Sequence, residues 1–171
     1  LHLTAFVLEV RTQLVVNYNI ANVRAAATVG TFFGVGSDDI AAALEEYEPT
    51  NKRSQLVRTE HNTLILDAYN ANPSSMSLAI ANFAALKAEH KMMILGDMRE
   101  LGAESEAEHR RVMEEAMAVG AEKLWTVGAE MARVAAPGVR CFEKVEDVIV
   151  ALKDERVEGM TVLVKGSNGV R

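Results

Sequence analysis

From Gln55 to the end of the chain, short apolar strands alternate with helical stretches of about ten to fifteen residues. That alternation restricts the fold more than any other feature, because a strand, a helix and a second strand in succession build a parallel sheet with helices packed on its faces. The strands read as 55–59, 63–66, 91–95, 123–127, 139–142 and 160–164. Glu60-His61-Asn62 joins the first two as a hairpin, so the first strand is expected to be antiparallel and at an edge. The expected fold class is α/β: a mostly parallel sheet flanked by helices, with one antiparallel edge strand and right-handed crossovers.

The helices carry their own punctuation. Asn72 can cap the helix that Pro73 begins, since the ring presets φ and no N–H is wasted at that position. Ser105-Glu106-Ala107-Glu108 reads as a capping box for a helix that buries Val112, Met113 and Ala116 and ends at Gly120. A short helix runs from Gly128 to Val134, and Val145, Val148, Ile149 and Leu152 make the apolar stripe of another. Ahead of this region, residues 1–16 read as one or two strands and Asn17-Tyr18-Asn19 as a polar break. A helix follows from about Ile20 to Phe33, then one capped by Ser37 with the stripe Ile40, Leu44 and Tyr47. The polar connector 49–54 is the expected domain boundary, giving domains 1–50 and 51–171.

Composition narrows the classes. The 171 residues are 49% hydrophobic and 25% charged, enough for a real core. The net charge of −6 and the absence of a Lys/Arg block argue against nucleic acid or an acidic membrane as partner. Cys141 stands alone, so no internal disulfide framework exists, and in a short strand it reads as a small apolar filler. No apolar run reaches membrane-spanning length and no signal-peptide pattern opens the sequence, so a cytoplasmic protein is expected. The sequence begins at Leu1 without Met and ends at Arg171 just after a polar loop, and a fragment is expected.

Candidate chemistry gathers where parallel strands end, the edge at which such sheets bind ligands. Three strands end in charge: Asp67, Asp97 and Lys165. Asp67 can accept hydrogen bonds from a ribose diol or an amine, Asp97 can hold an ammonium or a metal-bound water, and Lys165 can neutralise a phosphate or carboxylate. The helix opened by Asn72-Pro73 offers N–H groups to an anion. Other residues carry less. His109 is read as solvated on the exposed side of its helix, and His2, His61 and His90 lack metal-site spacing. No Gly-x-x-x-x-Gly-Lys-[Ser/Thr] loop is present, so nucleotide hydrolysis by this stretch alone is not expected. Trp125, Met98 and Met131 read as packing residues.

Five stretches, in order along the chain, resemble the bacterial Mur ligases: Asn17-Tyr18-Asn19-Ile20-Ala21-Asn22, Arg53-Ser54, Asp67-Ala68-Tyr69-Asn70-Ala71-Asn72-Pro73-Ser74-Ser75-Met76, Leu95-Gly96-Asp97-Met98-Arg99-Glu100-Leu101-Gly102 and Lys165-Gly166-Ser167-Asn168-Gly169-Val170-Arg171. The resemblance implies an ATP-dependent amide ligase of peptidoglycan precursor synthesis, with UDP-MurNAc-tripeptide and D-Ala-D-Ala as substrates and an acyl-phosphate intermediate. It implies that residues 1–50 are a helical remnant of the central ATPase domain and that 51–171 form the C-terminal Rossmann-like domain. ATP and Mg²⁺ are then the cofactors, with the phosphate loop and most metal ligands in the absent part, so the isolated fragment is expected to be inactive and to hold no catalytic residue. By the same resemblance Asn19 and Asn22 are the adenine-side asparagines, Arg53 reaches an ATP phosphate and Asp67 contacts the ribose. Tyr69, Asn70 and Asn72 line the closed site, while Asp97, Lys165 and Ser167 contact the dipeptide. Another Mur-type or folylpolyglutamate-type ligase is one alternative; a non-catalytic nucleotide or amino-acid binding module is the other.

Overall fold

A computed structural model describes residues 2–5, 8–12, 19–48 and 54–169. The expected strand positions 14–16, the break at 17–18, the connector positions 49–53 and Arg53 itself lie outside them. Two short strands, β1 (His2–Ala5) and β2 (Leu8–Arg11), pair antiparallel, followed by helices α1 (Asn19–Phe32) and α2 (Ser37–Glu46). Ser37 does not cap α2 as its sequence position suggests. Gly36 occupies the cap position and no side chain bonds there. The expected stripe of α2 is also shallower than read, since α2 buries no residue and Tyr47, just past its end, is half exposed.

The remainder is one six-stranded sheet in the order β3-β4-β8-β5-β6-β7. Its strands are β3 (Gln55–Arg58), β4 (Thr63–Asp67), β5 (Lys91–Gly96), β6 (Lys123–Val127), β7 (Arg140–Phe142) and β8 (Thr161–Lys165). Only β3 is antiparallel, at the edge where the hairpin puts it. The helices between are α3 (Pro73–Ala85), α4 (Ser105–Ala118, after a 3₁₀ turn Gly102–Glu104), α5 (Ala129–Arg133) and α6 (Val145–Asp154).

Handedness explains the layers. From β4 through β5 and β6 to β7 the chain steps one way across the sheet, and α3, α4 and α5 cover one face. Ile80, Val112 and Met131 there share a core with Ile65, Leu95 and Leu163 of the strands. The return from β7 to β8 runs the other way, so a crossover of the same hand carries α6 to the opposite face. There Val148 and Ala151 pack with Met92, Trp125 and Val162. Within α6 the buried pair is therefore Val148 and Ala151, whereas Ile149 of the expected stripe is 49% exposed.

Candidate functional site

The carboxyl ends of β4, β8 and β5 lie side by side, with Asp67 directly opposite Lys165 and Leu95 opposite Lys165 on its other flank. Lys165 is 2% exposed, and its Nζ donates to Asp67 Oδ2 at 2.7 Å, to Asn70 O at 3.2 Å and to Asp67 O at 3.4 Å. The other carboxylate oxygen, Oδ1, accepts the Ser54 N–H at 3.2 Å. A lone charge buried this far is costly, and pairing with hydrogen bonds to the remaining donors makes it tolerable. The ammonium thus holds the β4–α3 loop in shape, and that loop carries Tyr69 and Asn70 outward, both exposed.

Asn72 caps α3 as read. Its side chain accepts the Ser75 N–H at 2.9 Å while Ser75 Oγ accepts the Asn72 N–H at 3.1 Å. This reciprocal pair alters one expectation, because the Ser75 N–H that an anion was expected to find at the start of α3 already belongs to the cap, and Met76 N donates to Asn72 O.

Asp97 also has structural partners. Its Oδ1 accepts from Met131 N at 2.8 Å and its Oδ2 from Glu130 N at 3.2 Å, so it caps α5 from a neighbouring strand end. The close approach requires glycine at position 128, where φ is +114° and a Cβ would stand 2.2 Å from Asp97 Oδ2. Ser167 ties three loops together. Its N–H donates to Asp97 O, its Oγ donates to Ala71 O at 3.3 Å, and the same Oγ accepts from Arg99 N at 3.2 Å. Beside it Gly166 lets β8 run against β5, since a Cβ there would meet Gly96 Cα at 3.0 Å.

Between the β5 and β6 loops opens a cleft of about 1030 Å³. Arg99, Glu100, Glu106, Glu130, Arg133 and Glu143 line it, giving both signs of charge. Such a lining suits a small zwitterion better than a simple anion. Arg99 also donates to Gly169 O, and Arg133 to Glu130 Oε1 at 2.6 Å.

Two residues of α4 differ from the sequence expectation. His109 is fully buried, with Nε2 accepting the Met98 N–H at 2.9 Å and Nδ1 2.7 Å from Ser105 O. Ser105, read as half of a capping box, instead donates its hydroxyl to Glu130 Oε2 at 3.0 Å, and α4 begins with no side-chain cap. The signal for His109 was in the sequence: it sits three residues before Val112 and four before Met113, on their stripe. Asn19 and Asn22 meet in the first turn of α1, Asn22 Nδ2 donating to Asn19 Oδ1 at 3.2 Å. Among the described residues no three His, Cys, Asp or Glu cluster as metal ligands, and no helix is long and apolar enough to cross a membrane.

A mostly parallel sheet of this order, with its polar loops collected at one edge, defines an open-sheet α/β domain. The chain belongs to the Mur ligase, glutamate ligase domain family, which matches residues 52–168. It is 37% identical over 157 residues to the UDP-N-acetylmuramoyl-tripeptide–D-alanyl-D-alanine ligase of Escherichia coli, covering 88% of this chain and 34% of that one. It is 32% identical over 164 residues to the enzyme of that name from Bacillus subtilis, covering 90% and 36%. The chain therefore spans about a third of the length of these curated relatives. Among solved structures, the MurF ligase of Thermotoga maritima in complex with ADP shares the fold, with a TM-score of 0.82 and 20% identity over 99% of this chain and 40% of that one.

Proposed function

We propose that the protein to which this sequence belongs is an ATP-dependent amide ligase that joins D-Ala-D-Ala to UDP-MurNAc-tripeptide in the cytoplasm, as a step of peptidoglycan precursor synthesis. Residues 1–50 are then the tail of its central ATPase domain and 51–171 its C-terminal domain. The observation that carries the reading is the 37% identity to a ligase of that name over most of the chain. In the reaction ATP transfers its γ-phosphoryl group to the peptide carboxylate. The dipeptide amine attacks the resulting acyl phosphate, and the tetrahedral adduct collapses to amide and phosphate.

The residues present fit a nucleoside at the β4–α3 loop. Each Asp67 oxygen has one donor, a carboxylate oxygen accepts two, and the side chain keeps 12% of its surface. Asp67 therefore has the capacity to take a ribose hydroxyl without surrendering Lys165. Tyr69, Asn70 and Asn72 stand exposed around it to line the nucleotide side, with Asn19, Asn22 and Arg53 assigned to the adenine and phosphate ends by family resemblance. The T. maritima structure was solved in complex with ADP, in keeping with a nucleotide-using ligase. The metal is a different matter. Among the described residues no three His, Cys, Asp or Glu cluster, and the family resemblance leaves most of the Mg²⁺ ligands to the part of the protein outside this sequence.

On the amine side, the mixed-charge cleft receives the dipeptide. Asp97 caps α5 on one wall and Ser167 clasps the β5 loop that forms the other, whereas Lys165 lies under the neighbouring β4–α3 loop, paired with Asp67. Closing this domain over the nucleotide excludes water, which otherwise consumes the acyl phosphate.

The test is turnover by the full-length gene product given Mg-ATP, UDP-MurNAc-tripeptide and either D-Ala-D-Ala or single amino acids. Phosphate release that depends on the dipeptide supports the reading, and release that depends instead on glutamate overturns it. Tyr69→Ala in that protein, at an exposed position of the same loop, is expected to raise the KM for ATP with little effect on the KM for dipeptide.

A further inference from the structure

We propose that His109 is a positioning residue for the cleft, acting as a neutral imidazole that carries its proton on Nδ1. The substrate part of this proposal rests on the reading that the cleft receives the amine substrate. Two fixed partners determine the tautomer. The Met98 backbone N–H can only donate, so Nε2 at 2.9 Å must be bare; the Ser105 carbonyl can only accept, so Nδ1 at 2.7 Å must carry the proton. An imidazolium has no acceptor for Met98, and the opposite tautomer places two N–H groups face to face.

The consequence reaches the ligand through the loop. Met98 and Arg99 are successive residues of the segment that leaves β5 and forms one cleft wall. Their two amides are held by side chains from distant elements, Met98 N by His109 of α4 and Arg99 N by Ser167 after β8. With both amides fixed, the directions in which Arg99 and Glu100 leave the backbone are fixed as well. The same imidazole sits one residue contact from the opposite wall. Its Nδ1 partner Ser105 donates its hydroxyl to Glu130 of α5, and Glu130 in turn accepts from Arg133. Nothing here puts His109 in contact with a ligand, since it is fully buried beneath the loop. Its role is to hold in register the groups that do face the cleft.

The experiment uses the 171-residue chain, uniformly ¹⁵N-labelled, with D-Ala-D-Ala as the probe. Long-range ¹H–¹⁵N spectra of the native chain are expected to show a protonated Nδ1 and a bare Nε2 on His109. His109→Leu removes the acceptor, and exchange of the Met98 amide should then quicken, and the dipeptide bind more weakly, each by about tenfold. His109→Gln places an amide oxygen near the former Nε2 but loses the Ser105 bond. It shares with the Leu variant the loss of the Ser105 bond, yet both readouts should stay within about threefold of the native chain. That split separates positioning from folding. A protonated Nε2 in the native chain, or Gln and Leu variants that behave alike, overturns the proposal. If the native chain fails to bind the dipeptide while the tautomer and the loop amides behave as stated, the cleft reading fails and the loop-positioning role is retained.

Discussion

Replacing Lys165 by methionine tests whether the buried pair under the β4–α3 loop is a structural requirement. Methionine keeps most of the aliphatic volume and removes the charge together with three hydrogen bonds, to Asp67 Oδ2, Asn70 O and Asp67 O. The Asp67 carboxylate then retains one donor, the Ser54 N–H. Stranding one member of a buried pair costs about 3–5 kcal/mol. The Asp67 side chain keeps 12% of its surface and can rehydrate in part, so the lower end applies, about 3 kcal/mol. For a chain of this length that corresponds to a fall in Tm of about 6–12 °C. Urea unfolding followed by Trp125 fluorescence is the suitable assay. Trp125 is the single tryptophan, is 3% exposed, and packs on the opposite face of the sheet, so it reports loss of the core rather than local change at the loop. Adding Asp67→Asn to Lys165→Met removes the stranded charge and is expected to recover about half the loss. A single variant within about 1 kcal/mol of the native chain, or a double variant whose losses simply add, refutes the argument.

Three further outcomes follow from local geometry. Gly166→Ala drives a Cβ to 3.0 Å from the Gly96 backbone, which has no side chain to move aside, and should cost about 2 kcal/mol in urea titrations. Asn72→Ala opens the cap of α3 and should cost about 1 kcal/mol, with faster exchange of the Ser75 amide as its local signature. His90 lies at the other end of the strands, where its hydrogen bond to Glu122, and then that carboxylate's charge, raise its pKa above 6.5. A raised folded-state pKa means that the stabilisation is complete below pH 6.5 and is lost as pH rises through the folded value. An NMR titration should place the His90 midpoint above 6.5, and Glu122→Gln should bring it down; a native midpoint at or below 6.5 removes the basis for this.

Local chemistry was legible in the sequence. The hairpin, the order of strands and helices, the cap of α3 and the antiparallel edge all depend on neighbours a few residues apart, and the structure reproduces them. Expectation and structure part at Ser105 and His109, for different reasons. Ser105 has the right residue type for a cap, but Glu130 lies within reach of its hydroxyl only because α5 folds back beside α4. His109 reads as solvated on the exposed side of its helix, yet it is buried on the stripe of Val112 and Met113. A histidine on an apolar stripe stays buried when both nitrogens are satisfied, and the two partners that satisfy it, one in the β5 loop and one in its own helix, become visible only after folding.

The three strand-end charges show why the edge was recognisable from sequence while the roles of its residues were not. Parallel strands ending level bring each terminal side chain within reach of the neighbouring loop, so the first demand on such a residue comes from the protein. Asp67 and Lys165 are 98 positions apart yet directly opposite in register, and they neutralise each other. Asp97 stands beside Gly128 because Gly96 pairs with Val127, and it serves the N–H groups of α5. A charge committed in this way can still touch a ligand, but its removal will first deform a loop. Substitutions at Asp67, Asp97 or Lys165 therefore combine loss of shape with any loss of contact. The exposed side chains that the shaped loops carry, Tyr69 and Asn70 on one side and Arg99, Glu100 and Glu143 on the other, are the positions at which a change in affinity can be read with the least disturbance of the fold.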